Sequence, residues 1–170
     1  MQLSAADEQR LQRFRDAFEA KFAGDQRFRK ILRQDREDGS TLLSHFEVAD
    51  QLWLELMIRP FVPQVRAGVV TSDRWRNEDL EERIEESGDT MEEFVEMGFE
   101  EAGLEWIDPP VQHRREDGTR FCFATALDLS SLAELEAPAV FDKIVRMFEG
   151  YYHAFRRSLE RAAAERANSA

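Results

Sequence analysis

The chain has 170 residues, of which 34% are charged and 42% hydrophobic, with a formal net charge of −12 and one cysteine, Cys122. This length suits a single domain spanning 1–170, because folding at this size removes about 70% of the unfolded surface from water. A lone cysteine excludes an internal disulfide and a multi-cysteine zinc cluster; with no secretory leader and no apolar run of bilayer length, a cytoplasmic protein without a membrane partner is expected.

Ser4 reads as an N-cap, with Asp7 and Glu8 in the first turn, where the helix dipole favours anions. Leu11, Phe14, Phe18 and Phe22 follow at helical spacing. Gly24-Asp25 reads as a stop and a new cap, after which Phe28, Ile31 and Leu32 predict a second, shorter helix. RFRKILRQDR is basic, but the surrounding acids leave residues 1–40 near neutral, so it reads as a solvated helix face.

DGS at 38–40 marks a turn. Leu42, Phe46, Ala49, Trp53 and Leu56 then recur at steps of four and three, and Leu43, Leu52, Leu54, Met57 and Ile58 broaden that stripe. The spacing predicts a central helix over 41–58 with little exposed surface. Pro60 and Pro63 end or kink it, because neither carries an amide proton. In the irregular stretch after it, Val69 to Thr71 could form a short strand.

Residues 73–105 hold 14 acidic and 3 basic side chains, so nearly all the net charge belongs to this segment. Asn77 predicts the cap of a helix over 78–87, with Leu80 and Ile84 facing inward. Thr90-Met91-Glu92-Glu93 matches the capping box of a second helix over 91–102, with Met91, Phe94, Val95 and Ala102 inward and Gly103 just past its end. The outer faces carry Glu81, Glu82, Glu85, Glu86, Glu92, Glu93, Glu96 and Glu100. They form a candidate surface for a basic protein partner, while direct nucleic-acid binding is not expected of so acidic a chain.

VQHRREDGTRFCFATALDL changes period, and its EDG turn signal predicts a β-hairpin over 111–127. A two-residue Asp117-Gly118 turn would set His113 across from Cys122. A three-residue loop of Glu116, Asp117 and Gly118 would pair His113 with Phe121 and Val111 with Phe123. That second register is amphipathic and is preferred; it turns Arg114, Arg120, Gln112 and Cys122 outward. After Pro138, the residues Phe141, Val145, Phe148, Tyr152, Phe155, Leu159 and Ala162 alternate steps of four and three. They predict a long helix over 138–164 and offer a seam for a homodimer. Gly150 lies mid-helix, either to admit another backbone or simply tolerated.

No phosphate-binding glycine loop, nucleophile elbow or His-rich metal motif occurs, so no cofactor or metal is expected and catalytic residues are not identifiable. His45 and His153 read as structural or solvent-facing. A Cys122–His113 nucleophile pair exists only in the first hairpin register. The expected fold is α+β and predominantly α-helical: a helical bundle with a long C-terminal helix and a small antiparallel β-hairpin packed against it. The expected function is a non-enzymatic binding or adaptor module presenting the acidic two-helix face. The alternative is a ligand-binding protein or small enzyme with an aromatic pocket lined by Trp53, His113, Phe121 and Tyr152.

Overall fold

A computed structural model of the protein describes residues 2–169. The chain runs α1 (Ala5–Phe22), β1 (Ile31–Arg33), β2 (Leu42–Ala49), β3 (Leu52–Arg59), β4 (Gln64–Thr71), α2 (Arg74–Ser87), α3 (Met91–Glu101), β5 (Gln112–Glu116), β6 (Arg120–Asp128), a 3-10 turn (Leu132–Glu136), α4 (Pro138–Ala154) and α5 (Arg156–Ser169). All six strands form one antiparallel sheet in the order β1-β2-β3-β4-β6-β5. The architecture is α+β, but it is a six-stranded sheet with helices on one face, not a helical bundle with a small hairpin.

The correction turns on residues 41–58. Leu42, Ser44, Phe46, Leu54, Leu56 and Ile58 sit on one face of the β2–β3 pair, and Leu43, His45, Glu47, Trp53, Glu55 and Met57 on the other. All of them but Leu42 and Trp53 are buried, so apolar residues recur on both faces and imitate a broad helical stripe. The turn between the strands carries no glycine. Instead Gln51 takes a left-handed φ of 59°, and its carbonyl accepts hydrogen bonds from the Thr71 hydroxyl and the Ser72 amide. Pro60 and Pro63 flank the next turn, where the Val62–Pro63 peptide is cis, and Val69 to Thr71 ends a full-length β4. The short helix expected around residue 31 is the edge strand β1.

The helices keep closer to expectation. The Ser4 hydroxyl accepts from the Asp7 amide at 3.1 Å. Asp73 caps α2 one turn earlier than Asn77, which is buried inside that helix. The Thr90 hydroxyl accepts from the Glu93 amide at 3.1 Å, capping α3. Pro138 opens the C-terminal helix as predicted, but the helix breaks at Phe155 into α4 and α5.

The core lies between the sheet and α1, α4 and α5. Rings of Phe22 and Phe46 pack on Phe148 at 4.7 and 4.8 Å between centroids, and Phe18 meets Phe148 edge-on at 5.3 Å. Truncating a buried phenylalanine of this kind costs about 3–5 kcal/mol. Helix α3 crosses α4 where Gly98 faces Gly150: a methyl at Gly98 would strike the Gly150 carbonyl, and one at Gly150 would strike the Phe99 ring. Gly150 therefore admits another backbone. No helix among the described residues is long and apolar enough to cross a membrane.

Candidate anion-binding site

No helix among the described residues covers the second face of the sheet, yet several of its polar residues are buried. The strand pairing explains which residues meet there. Glu55 lies across from Gly68, which lies across from Ala124; Met57, Arg66 and Ala126 form the next row. These small residues leave room for long side chains to lie flat over the sheet. At Gly68 a methyl would run into the Phe123 carbonyl and Ala124, so β4 and β6 approach each other closely beneath that layer.

Glu55 is the hub of the layer, 1% exposed. It accepts from His45 Nε2 at 2.8 Å, from Arg66 at 3.5 Å and from Arg120. Trp53 stacks on the His45 ring, with centroids 5.2 Å apart. Burial pushes the Glu55 carboxyl up, but His45, Arg120 and Arg66 together hold it below the usual carboxylate range. Arg66 reaches the other way to Glu116 through a two-pronged pairing at 2.8 and 3.1 Å, and to Gln112 at 3.2 Å. Glu116 is itself half-buried, which opposes ionisation; its bonds to Arg66 and Arg114 prevail and hold its carboxyl at about 2.

Above this layer opens a cavity of about 540 Å³. Arg36, Arg59, Arg66, Arg114 and Arg120 line it against only two carboxylates, Glu116 and Asp117, while Arg115 borders it with its guanidinium turned to the Phe121 ring on the other face. Within a chain of net charge −12 this is a local excess of cations. Leu43, Met57, Phe61 and Val62 supply an apolar wall. The cations differ in how firmly they are held. Arg66 and Arg120 are anchored on Glu55, and the Nε atoms of both are buried without a hydrogen-bond partner. Arg59 is exposed, and its side chain has no hydrogen bond or ion pair among the described residues.

Arg36 belongs to the loop after β1, at the far edge of the sheet, and pairs with Asp117 in the β5–β6 turn at 3.2 Å. That loop is fastened from below. The buried Arg15 of α1 grips Asp35 through two bonds of 2.9 Å and donates to the Leu43 carbonyl at 3.1 Å. The sheet thus curls until its two edges meet across the cavity mouth.

The hairpin register corrects the expectation while preserving its faces. His113 pairs with Phe123 and Arg114 with Cys122, two residues along from the preferred register. A shift of two keeps the side chains on their faces, so Gln112, Arg114, Arg120 and Cys122 do share the outer face. His113 points the other way, stacked on Phe123 at 3.8 Å with Nδ1 against the Cys122 carbonyl. The Cys–His pair therefore does not form, and burial raises the Cys122 thiol above its ordinary value.

The four residues of the proposed aromatic pocket do not converge. Trp53 lies on the outer face, His113 and Phe121 on the helix face, and Tyr152 packs on Phe28 and under Arg27. Phe121 lines a separate cavity of about 490 Å³ beside the first turn of α2. In the acidic segment, Glu82, Glu85, Glu93 and Glu100 are exposed, and Glu81, Glu92 and Glu96 half-buried. Some are engaged locally: Glu81 with Asn77 and His113, Glu86 with Arg83, Glu93 with the Thr90 hydroxyl, and Glu96 with the Asp108 amide. The heptad residues Val145, Phe148, Tyr152, Phe155, Leu159 and Ala162 are buried within this chain, so the expected dimer seam serves the monomer core.

Sequence reading missed Arg36, Arg59 and Arg66 because they lie in three separate segments. The signal for Arg114 and Arg120 was present in their shared outward parity. Fold and site together define an α+β protein with an arginine-lined pocket on the open face of its sheet. Comparison with protein-family models, curated proteins and solved structures finds no match to this chain.

Proposed function

We propose that this protein is a non-enzymatic binding module whose arginine-lined pocket receives an anionic ligand. The observation that carries the reading is the concentration of five arginines, Arg36, Arg59, Arg66, Arg114 and Arg120, against two lining carboxylates in one cavity of a strongly acidic chain. Guanidinium is planar, permanently charged and shaped to hold carboxylate or phosphate oxygens in pairs. The buried ionic layer below fixes Arg66 and Arg120 before any ligand arrives, which reduces the ordering cost of binding. The buried, unpaired Cys122 fits a reducing compartment and supports a cytoplasmic setting. Calorimetric titration with inorganic pyrophosphate tests the reading. Binding at low salt that weakens as salt rises, and weakens further in Arg59→Ala/Arg114→Ala, is the expected result. A chain that takes up no anion at low salt would not be this kind of module.

The acidic helices support a second reading, an adaptor surface for a basic partner. Met97 and Ile107 are 58% and 75% exposed, and the bond between Glu96 and the Asp108 amide holds their two segments together. Apolar side chains ringed by carboxylates suit a cationic amphipathic segment. Reversing Glu82, Glu86, Glu93 and Glu96 to Lys should abolish salt-sensitive binding of such a peptide. Unchanged binding at low salt would exclude this surface.

A further inference from the structure

We infer that the ligand of the arginine pocket is a small organic phosphate of about nucleotide size, carrying at least two negative charges and an apolar or aromatic group. The inference rests on the anion-binding reading and narrows it to a chemical class.

Charge sets the first limit. Arg66 and Arg120 are already partly neutralised by Glu55 and Glu116, so they orient a ligand while the rim cations supply most of the free charge. The Arg59 side chain has no hydrogen bond or ion pair among the described residues. Arg36 and Arg114 are each held by one carboxylate. Several guanidinium forks around one mouth exceed what one carboxylate can fill. A phosphate group offers three acceptor oxygens and more than one negative charge.

The apolar wall sets the second limit. Phe61 and Val62 project from the β3–β4 turn into the same cavity, and Val62 is 51% exposed. An inorganic ion would leave that wall wet, whereas an organic group would cover it. Size sets the third. A cavity of about 540 Å³ lies within the range of small-molecule sites, about 300–1,000 Å³. The layer beneath holds the ligand without altering it: the His45 Nε2 is held by Glu55 under the Trp53 ring, and Cys122 is fully buried.

The test is calorimetry on the full chain with ADP, adenosine, inorganic pyrophosphate, citrate and an Asp/Glu-rich peptide as probes. ADP should bind at least about tenfold more tightly than pyrophosphate, and adenosine should not bind. Arg59→Ala, which removes no side-chain hydrogen bond or ion pair within the described residues, should weaken ADP and pyrophosphate alike. Phe61→Ala should bring ADP down to the pyrophosphate level while leaving pyrophosphate unchanged, with melting curves confirming that both variants fold. Pyrophosphate binding as tightly as ADP, or citrate or the acidic peptide binding more tightly than ADP, overturns the inference but keeps the anion pocket. Failure of every anion to bind overturns both.

Discussion

Arg36 and Asp117, 81 residues apart, form an ion pair between turns at opposite edges of the sheet. Both side chains are more than half exposed, so the pair adds only about 0–1 kcal/mol to stability. Its consequence is local: Asp117 occupies a guanidinium that would otherwise face a ligand. Asp117→Asn should leave the urea midpoint nearly unchanged and tighten pyrophosphate binding about two- to tenfold at low salt, the gain fading as salt screens the rim. Weaker binding in this variant would mean that the turn holds the mouth in shape rather than competing for it.

Glu55 carries a heavier role, because it is buried beneath His45, Arg66 and Arg120. Removing a buried partner strands its cations away from water, and Glu55→Ala should cost about 3–5 kcal/mol in urea unfolding. Arg66 should then lose its fixed position, so anion binding should weaken even below the unfolding transition. A loss under about 1 kcal/mol would show that water already reaches this layer.

These two residues also explain how far the sequence could be read. Caps and periodicity identified α1, α3 and the start of α4, where hydrogen bonds between near neighbours decide the structure. The sheet was hidden because its central strands are buried on both faces, one by aromatics and the other by Glu55, His45 and the arginines. His45 reads as structural or solvent-facing at the start of a helix, whereas with Glu55 it lies in the buried ionic layer beneath the pocket. Arg36, Arg66 and Arg120 meet only through strand order and curl, which no local spacing encodes. The acidic helices were legible as elements, but their abundance of carboxylates drew attention from the less frequent cations.

The crossing of α3 and α4 gives a prediction of opposite sign to helix propensity. In an isolated helix, replacing Gly150 by alanine would gain about 1 kcal/mol. Here the new methyl would collide with the Phe99 ring, and at Gly98 it would meet the Gly150 carbonyl. Neither neighbour is free to retreat, since Phe99 is fully buried and the carbonyl belongs to a helix backbone. Gly98→Ala and Gly150→Ala should each destabilise by about 1–3 kcal/mol in urea unfolding. A stabilised Gly150→Ala would show that the helices can slide apart without loss.

Acid should loosen the pocket floor before it unfolds the rest. The Glu116 carboxyl is held at about 2, below the ordinary glutamate value of 4.5, against burial that opposes ionisation. A depressed carboxylate contributes stability that is complete above its unfolded value and is lost as pH falls from there toward the folded value. Glu55 is shifted in the same direction, so its contribution adds in the same sense. The urea midpoint should therefore fall as pH drops from about 4.5 toward about 2. Glu116→Gln removes one of these two pocket-floor carboxylates without removing the side chain's bulk. That variant should be less stable than the parent at neutral pH, show a shallower acid slope, and approach the parent curve at the acid end. Parallel curves across the whole range would mean that Glu116 is equally ionised in the folded and unfolded chains, and that Arg66 draws no stability from it.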